Sequence, residues 1–347
     1  MKFGVRLGQH TALPKPDDQS RFRDLIRMTE DYGVSAIGIH DTSFIDGDAF
    51  VRATLIASAA QTALVGLRPT NPLTREPQIM AGFLASIDSL TNGRAFMDIA
   101  SGDSAVYNIG LKPASRARIE SYINTVRDLL STGEGTFLDR PQRIRWSDAV
   151  TRPRVPISIC AEGPKMLHLA GRIGDGVVAG TGLTESVVKD TLSRIAAGAV
   201  EADRNPDDLD VWFVTRSAFD VDRERALAGV KGSVSSILNH SMRFGLEGKN
   251  VPEGLLARVQ EYVDGYVLYE HIQNQGNNPR RMDELGLTDY AMERFALAGD
   301  VNDWVSRIEQ LANHGIKGIW FGPGHYSLDQ QIAEMKLIGE KVLPHFL

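Results

Sequence analysis

The chain holds 347 residues, with 38 Lys and Arg against 44 Asp and Glu, a net charge of −6, and 42% apolar and 24% charged residues. These values exclude disordered, collagen-like and coiled-coil chains. Mild acidity speaks against a nucleic-acid surface, and the single cysteine, Cys160, excludes a disulfide framework or a cysteine-based zinc or iron–sulfur centre and fits a reducing compartment.

The opening MKFGVRLGQH has no apolar h-region, and no run of 18 apolar residues follows. The expectation is a cytoplasmic protein with no signal peptide and no membrane span. Apolar runs then alternate with amphipathic stretches. Phe3–Leu7 precedes helical spacing over Asp18–Tyr32, and Ser35–Ile39 precedes Phe50–Ala60. Leu64–Leu67 precedes Pro77–Leu90, and Ala95–Ala100 precedes a helix near Ser115–Leu130. Pro156–Cys160, Val177–Ala179 and Val211–Phe219 follow, each with helical sequence after it, and Gly318–Phe321 precedes Leu328–Val342. Continuous apolar strands alternating with helices mark βαβ units and a parallel sheet. Eight such units predict an α/β fold of the (β/α)8 TIM-barrel type. A doubly wound open sheet is the second choice.

Two stretches break the period. Leu130–Pro156 reads as a loop. The interval between strands seven and eight is far longer than one helix needs, so a helical insertion over about 222–298 is expected within a single 1–347 domain.

Reacting groups in such barrels sit just after the strands' C-terminal ends. That places His40 and Asp41 after strand two, and the loop from Arg68 and Pro69 through Thr70 and Asn71 to Arg75 after strand three. Gly102, Asp103, Ser104 and Asn108 follow strand four, Ala161, Glu162 and Gly163 strand five, Gly180 and Thr181 strand six, and His325 strand eight. Gly163 and Pro164 open a helix, where free backbone N–H groups suit a phosphate. Glycines that merely turn strand into helix are the plainer alternative. His40 and His325 are candidate acid–base groups, or else a backbone-bonded strand-end histidine and a solvated one. No HxH, HExxH, GxSxG or GxGxxG pattern occurs, so no metal site, serine hydrolase or Rossmann site is expected.

The stretches GLRPTNPLTREP, RAFMDIASGDSA, VPISICAEGPKMLHLAGRIGDGVV and FALAGDVNDWVSRIEQL with IKGIWFGPGH, in that order, resemble the luciferase-like flavin-dependent oxidoreductases. The nearer-looking branch is that of the methylenetetrahydromethanopterin reductases, and bacterial luciferase-like monooxygenases look more distant. The resemblance leaves out Leu130–Pro153 and about Ser233–Asp289. It implies a barrel with a flavin or deazaflavin at its C-terminal mouth, over a bulge at Arg68-Pro69 that is either cis-prolyl or an ordinary trans turn. Asn71 would hydrogen-bond the pyrimidine edge, with Pro69 and Thr70 beside it. Gly102, Asp103, Ser104 and Asn108 would border the ring. Ala161, Glu162, Gly163, Gly180 and Thr181 would hold the ribityl phosphate, and His40, Asp103 and His325 would do chemistry.

Two departures stand out. The chain reads His40-Asp41 where deazaflavin enzymes commonly read Asp-His, and Glu162 replaces a small residue. On those grounds the first reading is an FMN enzyme: a two-component monooxygenase that receives FMNH2 from a flavin reductase and oxygenates a small organic substrate. The alternatives are hydride transfer with the deazaflavin coenzyme F420, or a non-catalytic flavin-binding subunit. Surplus apolar residues over Phe50–Leu90 predict a homo-oligomer, dimer or tetramer.

Overall fold

The computed structural model describes residues 1–7, 15–43, 45, 47–146, 155–322 and 327–347. In chain order it contains β1 (Lys2–Arg6), α1 (Gln19–Asp31), β2 (Ala36–Ile39), α2 (Ala49–Ala59), β3 (Leu64–Thr70), α3 (Pro77–Leu90) and β4 (Ala95–Ile99). A one-turn α4 (Ser104–Tyr107), α5 (Arg116–Thr132) and the strands β5 (Glu134–Phe137) and β6 (Arg140–Arg143) follow. Then come β7 (Ile157–Ala161), α6 (Pro164–Ile173), β8 (Gly176–Ala179), α7 (Glu185–Glu201), β9 (Asp210–Val214) and β10 (Arg216–Phe219). Four helices, α8 (Arg223–Met242), α9 (Leu256–Asp264), α10 (Asn277–Glu284) and α11 (Thr288–Phe295), precede β11 (Ala296–Gly299). The described elements end with α12 (Val301–Asn313), β12 (Gly318–Phe321) and α13 (Leu328–Lys341).

Eight strands close a barrel in the order β1-β2-β3-β4-β7-β8-β9-β12, and their pairings are all parallel. The fold is therefore the expected (β/α)8 barrel, with a helical insertion between its seventh and eighth strands. Because the strands run parallel, their C-terminal ends share one mouth.

The helices start and stop where capping chemistry allows. Asp48 accepts from Phe50 N and Val51 N ahead of α2, and Ser115 from Arg118 N ahead of α5. Asp300 and Asp303 form a reciprocal capping box on α12. Gly133 closes α5 in the left-handed region at φ 78°.

The main core lies between barrel and helices. Inside the barrel, Phe96, Trp212 and Trp320 pack together, with ring centroids 5.9 and 5.4 Å apart. Gly4 makes room for them, since a Cβ there would stand 2.7 Å from the Trp320 ring. The buried Arg68–Asp98 pair, at 3.2 Å, lies against the same ring. The insertion has a core of its own, built on Val234, Leu238, Val259, Tyr262, Met282 and Leu287.

Three sequence expectations change. The seventh strand, read as Val211–Phe219, breaks at Thr215, whose N–H and hydroxyl both donate to Trp320 O at 2.9 Å. Only β9 stays in the barrel, while β10 pairs in parallel with β11. β11 itself lies in the FALAG part of a stretch for which no strand was expected. The stretch Leu130–Pro156, read as loop, contains the antiparallel β5–β6 pair, in which only Phe137 is buried and the other residues are mostly polar and exposed, so that no periodicity shows. Among the described residues, no helix is long and apolar enough to cross a membrane.

Candidate active site

The mouth is built from the ends of β2, β3, β4, β7 and β8, with the C-terminal end of α8 laid across it. Asp103 sits in the turn between β4 and α4. Its Oδ1 accepts from Arg243 Nη2 at 2.7 Å, and its Oδ2 meets His240 Nδ1 at 2.8 Å. The other ring nitrogen of His240, Nε2, lies 3.1 Å from Glu162 Oε2. One imidazole of the insertion thus bridges two carboxylates of the barrel. Ser241 completes the seam by donating to Gly180 O at 3.1 Å.

The electrostatics follow from this packing. Burial opposes charge on His240, but Glu162 and Asp103 outweigh it and raise its pKa to about 9. Burial would raise the Asp103 carboxyl; hydrogen bonding and charge from His240 and Arg243 instead hold it far below the carboxylate range. His240 is therefore an imidazolium at neutral pH, with a proton on each nitrogen. That pair of N–H donors can hold a proton between carboxylates and release it to a group that enters the mouth.

His40 lies apart from this set. Its ring nitrogens stand 3.3 and 3.5 Å from Arg6 Nη1, which can only donate. Its neighbour Asp41 is buried, accepts from Thr70 Oγ1 at 2.7 Å, and takes both Nε and Nη2 of Arg75 at 3.0 and 3.1 Å. Arg75 also reaches Asp48 at 3.2 Å and lies 3.8 Å over the Phe50 ring. It braces the loop after strand three.

That loop carries a cis Arg68-Pro69 bond and a shift in the β3–β4 register between Leu67 and Thr70. Asn71 is buried and forms a local turn: Oδ1 accepts from Leu73 N and Thr74 N at 3.0 and 3.1 Å, and Nδ2 donates to Thr74 Oγ1 at 3.0 Å. Its carboxamide shapes the loop first and has one N–H left for a ring edge.

Gly102, at φ 97°, needs glycine, because a Cβ would also meet Val106 Cγ1 at 2.7 Å. Ser104 opens α4, while Asn108 caps its far end and is exposed. Gly163 is the N-cap of α6 with Pro164 behind it, and a Cβ built there meets nothing within 4 Å. Gly180 differs: its N–H donates to Ala161 O at 3.0 Å, and a Cβ there would lie 2.6 Å from Glu162 Oε1. The Thr181 hydroxyl is paired with that of Thr191 at 2.8 Å and buried. The phosphate expectation therefore narrows from two loops to the Gly163 end of α6. Glu162 does not crowd that end, because its carboxylate is turned to His240. His325 lies outside the described residues.

Sequence reasoning missed His240, Arg243 and Arg6. The first two belong to the segment that the family resemblance left out, and a histidine between Asn239 and Ser241 carries no motif.

A model of the luciferase-like monooxygenase family matches residues 1–318. A 5,10-methylenetetrahydromethanopterin reductase of Methanopyrus kandleri is 27% identical over 373 aligned positions, covering 100% of this chain and 99% of the relative. An F420-dependent glucose-6-phosphate dehydrogenase of Nakamurella multipartita is also 27% identical, covering 99% of this chain and 96% of the relative. The solved coenzyme F420-dependent tetrahydromethanopterin reductase of M. kandleri superposes with a TM-score of 0.74 at 23% identity, covering 100% of this chain and 99% of its own.

Proposed function

From the premise that the chain belongs to the luciferase-like monooxygenase family, we propose that it is an F420-dependent oxidoreductase moving hydride between the deazaflavin and a small organic substrate. The observation that carries this is the end-to-end similarity to an F420-dependent dehydrogenase, with 99% and 96% of the two chains aligned. The reading as an FMNH2-dependent monooxygenase served by a flavin reductase gives way to it. It rested on the inverted His40-Asp41 pair and on Glu162. Asp41 has a bracing role in the β3 loop and Glu162 is a partner of His240, so neither residue favours oxygen chemistry.

The residues present fit such a coenzyme. The helix start at Gly163 is open, since a Cβ built there meets nothing within 4 Å, and such a start suits a phosphate. The loop Pro69–Asn71 and Gly102 would flank the ring. When bound, the deazaflavin supplies or accepts a hydride. The protein's own part is acid–base: the His240 imidazolium carries the proton that matches the hydride, Asp103 holds its ring at Nδ1, and the proton leaves from Nε2 on the Glu162 side. Arg243 keeps Asp103 ionised. Arg6 fixes His40 at the strand-two end, where it orients ligand rather than exchanging protons.

Equilibrium titration tests the coenzyme. F420 should bind at least about 10-fold tighter than FMN, a difference of about 1.4 kcal/mol. Equal affinities, or binding of FMN alone, would return the site to the monooxygenase reading.

A further inference from the structure

Arg216 opens β10, where the seventh strand leaves the barrel beneath the insertion. It is half-buried, its Nε is shut off from solvent, and its guanidinium has no hydrogen-bond or ion-pair partner among the described residues. Arginines in such places are nearly always paired, because a desolvated charge without a counter-ion is costly. Burial accordingly pushes its pKa down from the usual arginine value, with Glu162 and Asp103 close enough to oppose that.

Those two carboxylates are already engaged. Asp103 is shared by His240 and Arg243, and Glu162 holds the other side of His240. Lys249 also lies near Glu162, so these two carboxylates face four basic groups, His240, Arg243, Lys249 and Arg216, and positive charge is in excess. The nearby walls do not cancel it. His271 lies between Tyr266 Oη at 3.0 Å and Ser236 Oγ at 3.1 Å, and burial lowers its pKa to about 4, so it is neutral.

We infer that Arg216 is an anion-binding residue of the mouth, taking a carboxylate or phosphate group of the ligand under the insertion. The inference takes the barrel mouth as the site proposed above and stands whichever flavin occupies it. Two sources share this chemistry: an anionic substrate, and the phosphate-bearing tail of the coenzyme.

Calorimetric titration of the full chain with inorganic phosphate and with succinate tests it. At least one probe should bind saturably, and Arg216→Gln should weaken that binding about 10–100-fold, the worth of one or two charge-assisted hydrogen bonds. Arg216→Lys should recover part of it. Without anion, Arg216→Gln should melt no lower than wild type, because it removes an unpaired charge rather than a contact. The bound anion should raise the melting temperature of wild type more than that of Arg216→Gln. The same variants titrated with F420 and with its phosphate-free ribityl deazaflavin core identify the source. A loss confined to F420 assigns the anion to the coenzyme tail; unchanged affinity for both assigns it to the substrate. Saturable binding of neither probe, or equal affinity in wild type and Arg216→Gln, would overturn the inference. Anion binding through Arg216 in a protein that ignores deazaflavin would keep this inference and remove the proposed coenzyme.

Discussion

His240 Nδ1 lies 2.8 Å from Asp103 Oδ2, so a helix of the insertion is tied by charge to the loop after the fourth barrel strand. The contact that seats the insertion is also the one that holds the candidate proton. Stability and chemistry should therefore share one pH dependence. His240 titrates at about 9 in the folded chain, where two carboxylates overcome the burial that opposes its charge. An unfolded histidine titrates near ~6.5. The stabilisation is thus complete below that value and is lost as pH rises through about 9. Asp103 acts in the opposite sense: its pKa is depressed, so its contribution is present above the ordinary aspartate range of ~4 and lost only in strong acid. The melting temperature of wild type should fall between about pH 7 and pH 10, by on the order of 2–3 kcal/mol of stability. In His240→Gln that fall should largely disappear. An unchanged alkaline slope in the variant would show that the ion pair does not hold the insertion.

Gly163 and Gly180 should respond differently to one added methyl group. At Gly163 the space is open and φ is −121°, so Gly163→Ala should leave the melting temperature unchanged while weakening coenzyme binding at least about 10-fold. At Gly180 the added carbon would stand 2.6 Å from Glu162 Oε1 and push it off His240. Gly180→Ala should therefore lower the pKa of His240, read by NMR titration of the imidazole, and shift the pH–rate profile with it.

Arg75 and Asp41 form the brace of the strand-three loop, with side chains 17% and 3% exposed. Removing one partner of a buried pair strands the other charge. Arg75→Ala should cost about 3–5 kcal/mol, read as a lower denaturant midpoint. Asp41→Asn, which keeps an acceptor for Thr70, should cost less than Arg75→Ala. A cost below about 1 kcal/mol for both would mean the loop holds itself.

The barrel was legible because its strands are buried on both faces and so run as unbroken apolar segments, as in Ala36–Ile39 and Ala95–Ile99. The break at Thr215 was not legible. It has no proline or glycine and is imposed by bonds to Trp320, more than a hundred residues away. Of the site, the loop positions Asp103, Glu162 and Gly163 were visible because strand ends point to the mouth. Their electrostatic partner was not. His240 acquires its meaning only when α8 crosses the barrel, and that crossing depends on the insertion's own core around Val234 and Leu238. Asn71 looked like a ligand-binding side chain, yet the turn Leu73–Thr74 uses most of its hydrogen bonds.

The outer face of α2 and α3 leaves Val51, Ile79 and Leu90 45%, 55% and 51% exposed. A second copy covering these residues would bury them together. Light scattering at micromolar concentration should return twice the chain's mass, and Ile79→Glu should return the monomer. A monomeric wild type would leave these residues as isolated surface side chains.

Hydride transfer with a deazaflavin, with the proton held by His240, has a direct spectroscopic signature. The most direct measurement follows F420 absorbance and dissolved oxygen together across a panel of alcohols, aldehydes and imines, with reduced FMN as the parallel cofactor. F420 absorbance should bleach or recover in a substrate-dependent way without oxygen uptake, and about 10²–10⁴-fold more slowly in His240→Gln. Oxygen uptake coupled to substrate with reduced FMN, beside an inert F420 signal, would contradict hydride transfer with the deazaflavin.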